Sequence, residues 1–530
     1  MSTEFVLEWI ERKMGFAHLP KSSMTPVFDL GQHADLEPLV IAASIFFDEV
    51  DAGVLARLLE VDDRLVSNAL DLLAQTGVLR MRSRGRYAFV DLGVRQASYE
   101  AIPEDTRSSL HRGVAETFGA RSRSATLEDT IEAARQWQAG GAGADAVRCW
   151  RHASQLGIAT QALPLAARCL EDALKVGRNP AFKLSPHEEF LTLSALGPLQ
   201  AQLSGSGSTE VANIYARCLE IAETYDHTET AAKFDALWGL TACILVHGRV
   251  GTALEMCERL LHTAHAAGDD RHILLSTRLK GLGQLLAGQV PAAIDTLATV
   301  LRLYDFDAHA ALRLQYASDQ AALALAHLSW AQVLVGDLDE SDRNCAAALN
   351  RAQMLNHPHT SAHVTCILAA RAQTLGRRYD AATLATGALA LARHYRYPYW
   401  QAWAEIIIGW HEGGRDPVAG TTRIEGAIAA YQLTGAGQAL AYAHLLRAGL
   451  LLDSGRLSQA IVAADQALAC GAAHGVELFD ADILRIKALA QGGHTDERRQ
   501  LLQEALGIAR RQGCKLFETR ISSALGQWRH

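Results

Sequence analysis

The residues in this 530-residue chain whose types and spacing could do chemistry form three groups: histidines, aromatics and arginines. His359 and His363 stand four apart at the start of a helical stretch, with Cys366 three further on. Residues three and four apart share a helix face, so two imidazoles and a thiol could meet one zinc-like cation. Against that, no carboxylate lies near them and Cys366 sits in an apolar run; the alternative is a partly exposed histidine pair beside a buried thiol. His411-Glu412 is followed by Arg415 where a zincin helix needs its second histidine. No serine occupies a GxSxG elbow, and no GxxxxGK[ST] phosphate loop exists. The expectation is a protein without a catalytic residue, metal or cofactor. The rival is an enzyme whose site is assembled among the repeats from residues that spacing does not group.

Tyr397, Tyr399, Trp400, Trp403 and Trp410 are part of the densest aromatic block, and Trp400, Trp403, Ile407 and Trp410 fall on one helical stripe. They read either as packing between repeats or as an aromatic patch on a concave wall, where a peptide or small ligand stacks. Arg80, Arg82, Arg84 and Arg86 surround an Arg84-Gly85 turn. Period two puts Arg80 and Arg82 on one face of a ribbon; whether Arg86 joins them depends on the turn length. This patch would touch phosphate, nucleic acid or an acidic partner, or would be a solvated edge that blocks strand pairing. The string Arg510, Arg511, Lys515, Arg520, Arg529 reads as an acidic-partner contact or as a solvated face.

The elements that position these residues repeat. Turn glycines stand at Gly248, Gly288, Gly336, Gly376, Gly414, Gly455 and Gly493, 38 to 48 residues apart. Five residues after most of them is an alanine (Ala253, Ala293, Ala381, Ala419, Ala460), with Ser341 and Arg498 as exceptions. Glycine lets a helix end in the left-handed conformation, and alanines on one face let a paired helix approach closely. Such a hairpin cannot bury its face alone and must stack on neighbours. The pattern resembles tetratricopeptide repeats with helices lengthened beyond the usual ~34-residue unit.

Composition agrees. Hydrophobic residues make up 49% and aromatics only 6%, so alanine and leucine supply the apolar mass, which favours helix. The net charge of −8 argues against a general nucleic-acid binder. Nine scattered cysteines without a CxxC pair read as buried thiols in a reducing compartment. No signal-peptide block and no apolar run of ~18 residues is present, so the chain reads as cytoplasmic and not membrane-bound.

In order, residues 1–33 read as an arm with a short amphipathic helix at Phe5–Met14. Residues 34–118 read as three helices, a β-hairpin and a long helix broken near Pro103, the order of a winged helix. Its third helix carries Asp62, Asp63 and Asp71 against Arg64 alone, a poor phosphate surface. A connecting helix follows at 119–143, then nine to ten helix pairs over 144–514, and a capping helix at 515–530. The fold class is all-α: a TPR-like helical-hairpin superhelix, a solenoid, with a small N-terminal winged-helix domain.

Two segments carry a family resemblance. LVIAASIFFDEVDAGVLARLLEVDDRLVSNALDLLAQTGVLRMRSRGRYAFVDLGVRQASYEAI, residues 39–102, resembles the winged-helix segment after the nucleotide-binding module of bacterial STAND-type signalling ATPases. These include ATPases fused to adenylate-cyclase or transcription-factor domains. RYPYWQAWAEIIIGW (396–410), LTGAGQALAYAHLLRAGLLLDSGRLSQAI (433–461) and EALGIARRQGCKLFETRISSALGQW (504–528) resemble the tetratricopeptide-like sensor of the same proteins. Where that family ends a strand with Phe-x-His beside the nucleotide, this chain has Phe89-Val90-Asp91, and aspartate would repel a diphosphate. The residues before Leu39 are too few for a nucleotide-binding module. The resemblance therefore implies the arm and sensor of a switch ATPase without the ATPase, free-standing or working with an ATPase on another chain. The function expected is a non-catalytic regulatory scaffold in bacterial signal transduction that binds a protein, peptide or small effector on its concave face. The alternative is a DNA-binding regulator acting through the arginine wing.

Overall fold

The computed structural model describes residues 35–120, 126–179, 182–224, 230–493 and 495–526. The helix expected at Phe5–Met14 lies outside them. The chain divides into two compact units, one ending at Thr192 and one starting at Leu193.

The first unit begins with α1 (Glu37–Ala43), β1 (Val50–Asp51), α2 (Ala52–Leu59), α3 (Asp63–Gln75), β2 (Leu79–Ser83) and β3 (Arg86–Phe89). The strands form one antiparallel sheet in the order β1-β3-β2. Local chemistry sets the boundaries. Asp51 accepts the Val54 N–H and Asp62 the Arg64 N–H, so each carboxylate caps a helix start. Gly77 (φ +81°) ends α3 and Gly85 (φ +77°) turns the hairpin. Leu55, Leu70, Leu73 and Tyr87 close the core between helices and sheet. The first helix stops at Ala43, and Ile45 and Phe46 enter the core from the segment after it. Next come α4 (Leu92–Glu100) and α5 (Glu104–Gly119), parted at Pro103, then α6 (Leu127–Ala139), α7 (Gly143–Ala159) and α8 (Leu163–Val176), each packed on the one before.

The helix α9 (Pro186–Ser204) leads into the second unit, followed by α10 (Thr209–Thr224), α11 (Thr230–His247), α12 (Val250–Ala267), α13 (Asp270–Leu286) and α14 (Val290–Leu303). Two single turns, α15 (Phe306–His309) and α16 (Leu312–Gln315), precede α17 (Gln320–Val335), α18 (Leu338–Leu355), α19 (Pro358–Thr374) and α20 (Arg378–Tyr395). The last helices are α21 (Pro398–Gly413), α22 (Pro417–Leu433), α23 (Leu440–Asp453), α24 (Leu457–His474), α25 (Asp480–Ala490), α26 (Asp496–Arg511) and α27 (Lys515–Gly526). The unit is a solenoid of helical hairpins. The start of α17 is set by Asp319 accepting the Ala322 N–H. Every residue of α17 from Gln320 to Leu334 is buried, as befits a helix apolar on all sides.

Six of the seven turn glycines take positive φ, between +61° and +91°. Gly414 does not; it is right-handed at φ −69°. In that repeat the close approach has shifted by one residue. Ala419 is exposed, and Gly420 lies against the backbone of Gly409 and Gly413 where no Cβ would fit. Ala253, Ala293, Ala381 and Ala460 are buried as their spacing predicts. Ser341 fills the same place and satisfies its hydroxyl by donating to the Ser329 carbonyl.

The solenoid closes on itself. Backbone N–H groups of Gly437 and Gln438 donate to the Val246 carbonyl at the end of α11, and those of Glu477 and Leu478 donate to the Leu286 carbonyl at the end of α13. Gly437 and Val246 are 191 residues apart, and so are Glu477 and Leu286. One turn of the superhelix therefore lays each C-terminal loop over the helix end 191 residues before it, and the contact recurs one repeat later. Aromatic contacts reinforce the closure: Trp330 of α17 lies 5.7 Å from Tyr442 and 6.0 Å from Phe479, ring centre to ring centre. The loop at Gly207 touches Gly435 and Ala436.

Candidate functional site

Bordered by the closed solenoid is a cavity of about 110 Å³ that is partly open to solvent, room for about four waters. The helices α11, α13, α17, α19 and α21 each place side chains on its wall, and Tyr215 of α10 and Gln202 of α9 complete it.

The histidines of the wall are neutral and mostly engaged. His359 receives the Trp400 indole N–H on Nε2 at 3.1 Å, and its Nδ1 is 2.9 Å from the Ser318 hydroxyl. An accepting Nε2 requires the proton on Nδ1, so this ring has no free lone pair for a metal. His327 holds its Nδ1 2.8 Å from the Leu323 carbonyl, which fixes the proton there. Burial lowers His327 to about 4 and His359 to about 3. His363 lies 4.2 Å from Trp400, ring centre to ring centre, and is held well below the ordinary histidine range, by burial first and then by its histidine neighbours. Cys366 points its thiol at the Trp400 carbonyl, 3.8 Å away, and burial raises its pKa. His359, His363 and Cys366 are therefore parts of a packed wall, and no group of three potential metal ligands occurs among the described residues.

Arg278 is the charge in this wall. It is 6% exposed and lines the cavity. Its Nε donates to Gln320 at 2.8 Å, and its guanidinium carbon lies 5.8 Å from the Trp238 ring centre. Its two terminal nitrogens have no partner and no acid pairs with it among the described residues. Burial pushes its pKa down to about 10, still far above neutrality, so it stays charged. The buried side-chain oxygens of Gln202 and Gln438, also on the wall, accept no hydrogen bond among the described residues. By contrast, Tyr316 is satisfied: its hydroxyl donates to Asp235 and accepts from Arg271. Sequence reasoning missed Arg278 because Thr277-Arg278-Leu279-Lys280 reads as an ordinary charged helix segment.

All five aromatics singled out above are buried, between 1% and 9% exposed. Tyr399 and Trp400 line the cavity, whereas Tyr397, Trp403 and Trp410 do not. Trp403 stacks on Tyr442 at 5.9 Å and belongs to the closure. A second, more open cleft of about 770 Å³ lies near Gln401, Glu405 and Arg423, but its charges are internally met, with Glu405 held by both Arg393 and Arg423.

On the wing, the structure separates the four arginines. Arg80 and Arg82 are exposed on β2, and Arg84 is exposed in the turn. None of the three has an ion-pair partner among the described residues. Arg86 instead turns inward to Asp51 at 3.2 Å and to Asp129 at 2.5 Å. Asp91 caps α4 through the Gly93 N–H, which accounts for an acid at that place without reference to a nucleotide.

No protein-family profile matches the chain. An uncharacterized protein of Rhizobium meliloti is 24% identical over 494 residues, covering 90% of this chain and 47% of the relative. The chain thus spans about half the length of the curated relative it matches. A solved structure with similar folding is a STAND protein with a tetratricopeptide repeat sensor from Pyrococcus horikoshii, 12% identical, TM-score 0.48, covering 92% of this chain and 75% of that one. Another is a Rap protein complexed with Competence and Sporulation Factor, 13% identical, TM-score 0.45, covering 64% of this chain and 99% of that one. No helix among the described residues is long and apolar enough to cross a membrane.

Proposed function

We propose that this chain is a non-catalytic regulatory scaffold in bacterial signalling, whose solenoid encloses a small effector and whose surfaces engage a protein partner. The observation that carries the reading is the cavity. It is built inside a solenoid that closes on itself, and its wall holds polar groups that the protein leaves unmet. Its small volume supports a small effector over a long peptide. It also lets binding act at a distance, because an occupant touches α11, α13, α17, α19 and α21 at once and tightens the closure between them. The chemistry of the wall supports recognition over turnover. The imidazoles are neutral and two of the three are tied to neighbours, and the Cys366 and Cys243 thiols are kept protonated by burial.

The test is affinity capture from host lysate with the tagged full chain, before and after dialysis, with mass spectrometry of proteins and of small molecules released on denaturation. Capture of a signalling ATPase, cyclase or regulator that changes with the dialysable fraction supports the reading. A chain that releases no small molecule and whose captured proteins do not respond to dialysis removes it.

The wing supports a second reading as a polyanion contact, since Arg80, Arg82 and Arg84 are exposed and pair with no acid among the described residues. Salt-dependent retention on duplex DNA, lost in Arg82→Ala/Arg84→Ala, supports DNA; no retention at low salt sinks it.

A further inference from the structure

We propose that the cavity takes a small organic acid as its monoanion, its carboxylate paired with the guanidinium of Arg278. This rests on the reading of the cavity as an effector site and names the chemistry of that effector.

The argument begins from a missing partner. Removing a guanidinium from water costs several kcal/mol, on the order of what an ion pair must offset, so buried arginines are found with acids. Other buried arginines of this unit obey the rule: Arg371 reaches Asp342, and Arg351, partly buried, reaches Asp319 at 2.9 Å. Arg278 is as buried as Arg371 and, among the described residues, has only a neutral amide and the ring of Trp238 beneath its guanidinium. The cavity lies where its free terminal nitrogens need an acceptor.

The rest of the wall selects among anions. One unbalanced positive charge matches one negative charge. The imidazoles nearby are neutral and do not add a second cation, so a phosphate dianion would be left with excess charge beside a wall that holds one cation. A carboxylate is planar and fits the guanidinium fork. The remaining lining is aromatic and aliphatic, with Trp238, Trp400, Leu279 and Ile367, and accepts an apolar body.

The experiment titrates the full chain, as wild type, Arg278→Lys and Arg278→Met, with benzoate, phenylacetate and 4-hydroxybenzoate and with the corresponding neutral amides. Calorimetry and thermal shift are the readouts. At least one acid is expected to bind wild type about thirty-fold or more tightly than its amide, and Arg278→Met to abolish that preference. Arg278→Lys keeps the charge without the fork and should retain part of it. Acids and amides binding equally well would overturn the anion assignment while leaving a ligand cavity in place. Acids binding wild type and Arg278→Met alike would overturn the role of Arg278. No acid binding more tightly than its amide, or none binding at all, overturns the proposal; the lysate experiment then decides separately whether any effector occupies the cavity.

Discussion

Arg86 in the first unit and Arg278 in the second are both drawn inside the protein, and they are held in opposite ways. Arg86 sits between Asp51 and Asp129, and each of those acids also caps a helix, Asp51 at α2 and Asp129 in the capping box of α6. Burial lowers its pKa, but the hydrogen bond to Asp129 and the charges of both acids more than offset this, and the net shift is upward. It is a rivet between β3, β1 and α6. Arg278 has no acid partner among the described residues; burial lowers its pKa, and only the Cys257 thiol opposes this. A charge that is satisfied internally explains itself as structure; a charge left unsatisfied against a cavity does not, and points outward to a ligand.

Substitution should separate the two most sharply. Arg86→Met leaves Asp51 and Asp129 buried without their cation, and is expected to destabilise the first unit by about 3 kcal/mol. Arg278→Met removes an uncompensated charge and is expected to leave the ligand-free protein within about 1 kcal/mol of wild type, or more stable. Urea unfolding of both variants measures this. Equal losses would erase the distinction between rivet and receptor.

The closure that forms the cavity can be broken at a glycine. Gly435 has φ +74° and touches the Gly207 carbonyl, so Gly435→Val is expected to cost about 2 kcal/mol or more through backbone strain and collision. Gly376→Ala, at φ +73° but in open space, controls for strain alone and should cost about 1 kcal/mol. Hydrogen exchange at Gly437, Gln438, Glu477 and Leu478 should quicken in the first variant and not in the second. Unchanged protection would mean that the 191-residue contacts do not depend on that loop.

The second unit should also be the more acid-sensitive. His327, His357 and His444 are lowered by burial to about 4 and His359 to about 3, from 6.5. The unfolded chain takes up these protons first, so their stabilising contribution is full above 6.5 and is lost as pH falls towards 4. Asp480 opposes this: burial raises it to about 7 from 3.8, so its contribution grows as pH falls through the same window. Four histidines outweigh one aspartate, and the urea midpoint should drop between about pH 7 and about pH 5, less so in His327→Gln. A flat profile would mean that these rings are not kept neutral by burial.

Much of the fold was legible because it is local. The glycine step, the alanine five residues on and the capping aspartates are decided within a few residues of themselves, and the helices follow. Even the exception is local in kind: Gly414 loses its left-handed role because Asp416-Pro417 starts the next helix and Gly420 takes over the close approach. What spacing does not reveal is closure, which joins backbone groups 191 residues apart without any distinctive side chain. The site was half hidden for the same reason. Tyr399 and Trp400 stood out by composition, but the meaning of Arg278 lies in an acid that is not there, and an absent neighbour has no signature along the chain.

The wing gives the smallest expected effect and the cleanest contrast with Arg86. Arg80, Arg82 and Arg84 are exposed and make no ion pair among the described residues, so replacing all three by alanine should shift stability by no more than about 0.5 kcal/mol. Edge arginines at most discourage strand pairing, and Met81 and Val90 nearby are already 53% and 57% exposed. If the triple variant unfolds as wild type does but loses capture of its partner or retention on DNA, the wing is a contact surface. If neither changes, its arginines are solvated edge, and the interior of the solenoid is left as the place where recognition occurs.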